Sequence, residues 1–156
     1  MNKIIDVNLY AYGNGSSNFD CETGAIALKQ AIEHAGLANQ CHWQHPVLRV
    51  DGHKQQATAL PDIVTLSKQL ASSTEASLLN HHFFVTMGGD HTAAIGSWNG
   101  AAHTIKNVGM IWFDAHMDSH TPQTSPSQNI HGMPLAILLG HGEKALTQLL
   151  SKKPAL

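Results

Sequence analysis

The sequence predicts an α/β fold, a sandwich built around a parallel sheet. Three observations carry that expectation. Short apolar runs alternate along the chain with longer helical patterns. The runs at 83–87 and 108–113 are apolar without alternation, as strands covered on both faces are. Each run leads directly into polar, ligand-type residues, and strand carboxyl ends are where open α/β sheets place their sites.

Taken in order, residues 4–10 read as a first strand, with Ile4, Ile5, Val7 and Leu9 apolar. Residues 13–18 (Gly-Asn-Gly-Ser-Ser-Asn) have the chemistry of a loop. Residues 23–34 have helical periodicity, with Ile26, Leu28, Ala31 and Ile32 partly on one face and Gly36 as terminator. A second strand is expected at 43–50, where Pro46 fits an edge position. Residues 61–79 form the longest helix candidate, with Ile63, Leu66, Leu70 and Leu78 apolar. The third strand follows Asn80-His81-His82. Gly88 and Gly89 after it allow a sharp turn with unusual backbone angles. His91 then stands at a strand end and opens a helix through Thr92 to Ile105. The fourth strand is 108–113. A polar loop at 127–131 runs into a short helix at 133–139, with Pro134 in its first turn, and 144–151 is a last helix.

Composition narrows the function classes. The 156 residues suffice for one domain with a sizeable core. Charged residues make up 13% against the usual ~25%, and the net charge of −2 gives no basic footprint for nucleic acid. Cys21 and Cys41 form no CxxC pair, so reduced thiols in a cytoplasmic protein are expected. The amino terminus is neither a secretion signal nor a membrane span. Of the twelve histidines, His91, His116 and His131 are assigned to chemistry, with His120 nearby.

The ligand-type residues are Asp114, His116 and Asp118 after one apolar run and His91 after another. Residues two apart beyond a strand end project to the same side, so Asp114, His116 and Asp118 converge if the chain curls. Carboxylates favour Mg, Ca or Mn, and an imidazole draws the set toward Mn, Zn or Fe. Zinc alone is disfavoured, since no cysteine accompanies the cluster. The competing reading makes Asp114 and Asp118 solvated turn residues and His116 incidental.

Three motifs together, Gly88-Gly89-Asp90-His91, Asp114-Ala115-His116-Met117-Asp118 and Ser127-Gln128-Asn129-Ile130-His131-Gly132-Met133-Pro134, resemble the signature of the ureohydrolase (arginase/agmatinase) family. The third, close behind the second, is more similar to arginase. The likeness is carried by residues 83–141; upstream only the strand–helix alternation supports it. It implies a three-layer α/β/α sandwich with two Mn²⁺ ions at the carboxyl ends of the sheet. By the resemblance, His91 and Asp118 bind one ion, His116 the other, and Asp114 bridges both. A metal-activated water attacks the guanidinium carbon of arginine, giving ornithine and urea. His131 matches the proton-shuttling histidine and, with Asp118, is counted as catalytic. Ser127 and Asn129 match positions that bind the amino-acid end of the substrate, with His116 and His120 also on the substrate side.

Two departures from the family pattern shape the expectation. Position 120 is His where arginases usually carry an Asn that contacts the substrate carboxylate. The family's later Asp-x-Asp pair, which completes both metal sites, has no counterpart: the aspartates are Asp6, Asp20, Asp51, Asp62, Asp90, Asp114 and Asp118. The chain is therefore expected to be the amino-terminal part (1–156) of a single arginase-like domain. It is expected to be truncated, to hold at most one weakly bound Mn²⁺, and to be inactive alone. Its expected partner is a small guanidino substrate, with no nucleic acid and no membrane; a homo-oligomer is expected of full-length relatives. The alternatives are a non-catalytic fragment that binds metal weakly or pairs with another chain, and a ureohydrolase for another guanidino compound such as agmatine.

Overall fold

The structure, a computed structural model, describes residues 5–16, 18–44 and 46–156. Three parallel strands form one sheet in the order β2–β1–β3. They are β1 (Ile5–Tyr10), β2 (Cys41–Trp43) and β3 (Phe83–Gly88). The central strand aligns Ile5 with Cys41 on one side and with Phe83 on the other. Ile4 lies outside the described residues.

Alternation along β1 sorts the core into two halves. Val7, Leu9 and Ala11 pack with Ala25 and Ile26 of α1 (Glu22–His34). Tyr10 and Tyr12 point the other way, into a cluster with Ile63, Leu66 and Leu70 of α2 (Leu60–Leu79) and Ile95 of α3 (Ala93–Thr104). Helices thus cover both faces of the sheet, the three-layer arrangement expected of strand–helix alternation. The short helices α4 (Pro134–Leu138) and α5 (Lys144–Thr147) add Ile137 and Leu146 to the second cluster.

Close packing of α2 against α3 depends on small residues. A Cβ at Gly96 would lie 2.7 Å from the Ser67 carbonyl oxygen, and one at Gly100 2.5 Å from that of Ala71. No side chain fits there without moving a helix backbone. α1 ends in a left-handed Gly36 (φ 72°), with Leu37 N donating back to the Ile32 carbonyl at 3.1 Å.

Several local expectations need correction. Leu28 is 49% exposed and Ala31 is also exposed; the covered face of α1 runs through Ala25, Ile26 and Ile32. The second strand is earlier and shorter than 43–50. Its pairing reaches Gln44 N on the Val7 carbonyl and resumes only at Leu48, whose N–H meets the Leu9 carbonyl. Pro46 lies between them and has no N–H to donate, which breaks the ladder. That strand does stand at the sheet edge. The last helix closes at Thr147 rather than 151.

The run at 108–113 is the main correction. It is not a strand buried on both faces and pairs with no strand among the described residues. Val108, Met110 and Trp112 are half-buried, whereas Ile111 is 78% and Phe113 94% exposed. One face lies on the protein and the other is open. The outer edge of β3 has no partner among the described residues, and Phe83 at its start is exposed.

Candidate active site

In a parallel sheet all strand carboxyl ends share one side, and the loops after β1 and β3 meet there. Gly89 N donates to the Tyr10 carbonyl at 2.8 Å and Asp90 N to the Tyr12 carbonyl at 2.9 Å. The Gly88-Gly89 pair serves this contact rather than an unusual dihedral, since neither has positive φ. A Cβ at Gly89 would lie 2.3 Å from the Tyr12 carbonyl oxygen. The turn carries His91 to the floor of an open cleft of about 880 Å³. His91 stacks on Trp112, ring centroids 4.8 Å apart, so the half-buried face of 108–113 fixes the imidazole plane.

The segment 114–118 brings two carboxylates to that imidazole. His91 Nδ1 lies 3.3 Å from Asp114 Oδ2 and in close contact with Asp118 Oδ2. The Asp118 contact has ion-pair proximity without hydrogen-bond angles, so Oδ2 is buried with no hydrogen-bond partner among the described residues. Asp118 adopts a left-handed backbone (φ 47°), a conformation aspartate tolerates better than most residues. Its carbonyl receives Leu135 N at 2.9 Å at the start of α4, where Pro134 has no N–H to offer. Asp114 turns Oδ1 toward His116, accepting its backbone N–H at 2.8 Å with the imidazole Nδ1 at 3.4 Å. That N–H, ahead of the opposing effect of desolvation, holds the Asp114 carboxyl below its usual range. The His116 ring itself is largely exposed.

His91, Asp114 and Asp118 offer ligand atoms all within 4.8 Å of one another. Two carboxylates and one imidazole, with the buried Asp118 Oδ2 pressed against the His91 nitrogen, fit a divalent cation of hard to borderline character. Asp114, itself in this group, and its neighbour His116 are the two expected ligands of a second cation.

The substrate-side residues are more dispersed. His131 lines the cleft and is anchored by its backbone N–H on the Gly15 carbonyl at 3.1 Å. Ser127 and His120 line it too, both exposed. His120 Nδ1 lies 3.2 Å from Thr124 Oγ1. Asn129 donates Nδ2 to the Ser16 carbonyl at 3.3 Å, tying two loops together. Ser16, Asn18 and Cys21 also stand on the cleft wall, as does Asp90 of the motif before His91, none of them expected there from the sequence. The available signal was position: 13–18 follows a strand at the carboxyl end of a parallel sheet. Asp90 is buried; desolvation raises its carboxyl above the ordinary value against hydrogen bonds from Thr92 and Gly15.

The arginase family model matches residues 8–152 of the chain. The chain belongs to the arginase family. It is similar to arginase of Staphylococcus aureus (strain MSSA476), 39% identical over 107 residues, 67% of this chain and 35% of that protein. Its fold is similar to the 1.7 Å structure of arginase from Bacillus subtilis, with TM-score 0.88, 30% identity, and coverage of 99% of this chain and 53% of that one. Entamoeba histolytica arginase in complex with L-ornithine is similar with TM-score 0.84 at 26% identity, covering 98% and 54%. The chain thus spans about a third of the length of the curated arginase it matches and about half the length of the solved ones. The three-layer parallel architecture is that of these arginases. Among the described residues no helix is long and apolar enough to cross a membrane.

Proposed function

We propose that this chain carries the amino-terminal share of an arginase active site, for hydrolysis of L-arginine to L-ornithine and urea with Mn²⁺. The observation that supports this most is the convergence of His91, Asp114 and Asp118 at the strand-end side of the sheet. On this reading His91, Asp114 and Asp118 hold one Mn²⁺, and Asp114 and His116 face the second. When bound, the cation pair supplies Lewis-acid activation of water near neutral pH.

The chain's own residues then have distinct tasks. Asp114 presents one oxygen to each side of the cluster. Asp118 adds buried negative charge beside His91. His131, across the cleft, carries a proton between the reacting groups and solvent, a task imidazole suits near pH 7. Ser127, Asn129 and His120 receive the amino-acid head, which favours L-arginine over agmatine because agmatine would leave such polar groups unpaired. The ornithine-bound Entamoeba relative supports an amino-acid substrate. Unpaired Cys21 and Cys41 support a cytoplasmic setting.

The second cation would have only Asp114 and His116 from the described residues, short of the four or more ligands such ions take. We therefore propose that the 156-residue chain alone releases no urea and holds at most one Mn²⁺, weakly. A second reading, a chain that works by pairing with another polypeptide, is favoured by the edge of β3, unpaired among the described residues, and by the exposure of Ile111 and Phe113. The test is urea release from L-arginine and from agmatine at millimolar Mn²⁺. It compares the chain alone, the chain fused to the carboxyl-terminal half of a Bacillus arginase, and His116→Ala in both. The expected result is no release by the chain alone above the His116→Ala background, and release by the fusion that favours arginine. Clear turnover by the chain alone contradicts the ligand argument; a fusion preferring agmatine contradicts the substrate assignment.

A further inference from the structure

Asp90 adjoins His91 in sequence, but its carboxylate is engaged elsewhere. Oδ2 accepts the Gly15 backbone N–H at 2.8 Å, and Oδ1 accepts the Thr92 N–H at 2.9 Å together with the Thr92 hydroxyl. Because that hydroxyl gives its proton to Asp90, Tyr10 is the donor in its 2.9 Å contact with Thr92 Oγ1. The chain of bonds begins at a fully buried tyrosine and reaches a carboxylate only 6% exposed. It continues outward, for the carbonyl of the same Gly15 accepts the backbone N–H of His131 at 3.1 Å.

We propose that Asp90 is a positioning residue for His131, acting through the backbone of Gly15. Both backbone groups of that residue are committed, its N–H to Asp90 and its carbonyl to His131. Residue 15 must also lack a side chain: a Cβ there would lie 2.7 Å from Thr92 Cγ2 and 2.8 Å from Asp90 Oδ2. Thr92 and Asp90 stand between the end of β3 and the start of α3, so the tether starts from rigid backbone. A buried carboxylate with three donors holds its geometry more firmly than an exposed pair, because losing any donor leaves a desolvated charge. Asn129 Nδ2 on the Ser16 carbonyl is a second tie between the same two loops. His91 and Asp90 are covalently adjacent, so the imidazole that faces the cation and the imidazole across the cleft share one frame. The functional meaning of this frame rests on the role proposed above for His131; the frame itself does not.

The test uses the isotope-labelled 156-residue chain and compares Asp90→Asn, Gly15→Ala, Thr92→Val and Thr92→Ser by NMR. Asp90→Asn, Gly15→Ala and Thr92→Val are expected to move the ring resonances of His131 and to speed amide exchange at Gly15 and His131 about tenfold or more. Thr92→Ser keeps the hydroxyl and is expected to restore the unmodified spectrum. Manganese broadening of the His91 ring is expected to persist in Gly15→Ala. His131 ring resonances that stay in place in the folded variants overturn the proposal, as does a Thr92→Ser spectrum as disturbed as that of Thr92→Val. If Asp90→Asn does not fold, Gly15→Ala and Thr92→Val decide the matter. Failure of the unmodified chain to show manganese broadening at His91 counts against the proposed function instead.

Discussion

Asp6 shows how a buried charge can lock a small sheet. Its carboxylate accepts His42 Nδ1 at 2.9 Å and His82 Nδ1 at 3.1 Å, from the strand on one side and the turn before the strand on the other. Gln44 adjoins the His42 ring, and the Ser77 hydroxyl of α2, which donates to the Ser73 carbonyl at 3.2 Å, lies beside the carboxylate. Desolvation pushes the Asp6 carboxyl up, but the polar neighbours Ser77, His42 and His82 together outweigh it and leave it below the ordinary 3.8. A depressed carboxyl gives stability that is present above its unfolded value and lost as pH falls through the folded one. Asp6→Asn is therefore expected to lower stability by about 1–2 kcal/mol near pH 7. The deficit should shrink steadily below about pH 4. Urea denaturation across that range checks it; a deficit independent of pH refutes the charge argument. His42 and His82 were not singled out from sequence, because nothing in a single strand's sequence says which residue its neighbour places beside it. Asp114 and Asp118 stand out in the sequence by their alternate spacing after an apolar run, and His91 by its place after another such run and by the family resemblance. Asp90 and Ser16 do not, since their partners lie 75 and 113 residues away along the chain.

Among elements, the α2–α3 contact is the most demanding. Gly96 and Gly100 of α3 lie on the Ser67 and Ala71 carbonyls of α2, and Leu70 beneath them is fully buried. Gly100→Leu is expected to destabilise by about 3 kcal/mol or more, because the added side chain meets backbone that cannot yield. Leu70→Ala is expected to cost about 2–5 kcal/mol through the cavity it leaves. Thermal unfolding of both variants measures this; a Gly100→Leu protein as stable as the parent would mean that the helices separate freely. The strands β1 and β3 were legible as short apolar runs, α1 and α2 from their spaced apolar residues, and α3 from its place after the turn that carries His91. The run at 108–113 was misread for a physical reason: its composition reports affinity for cover, not the presence of a neighbour. The position of β2 was misplaced because apolar content at 47–50 outweighed the missing N–H of Pro46.

For the whole molecule, the open side of the sheet sets behaviour in solution. The edge of β3, unpaired among the described residues, presents free backbone groups, and the exposed side chains of Phe83, Ile111, Phe113 and Met117 present apolar surface. The isolated chain is expected to self-associate as concentration rises. Ile111→Lys with Phe113→Lys should raise its solubility without weakening cation binding, as light scattering and metal titration would show. The central claim is that His91, Asp114 and Asp118 form a cation site within this chain. Its most direct measurement is a calorimetric Mn²⁺ titration of the 156-residue protein beside His91→Ala. The account predicts one weak site per chain that weakens as pH falls, because a ligating imidazole must be neutral, and that is lost in His91→Ala. Two tight sites, or binding untouched by His91→Ala, would contradict it.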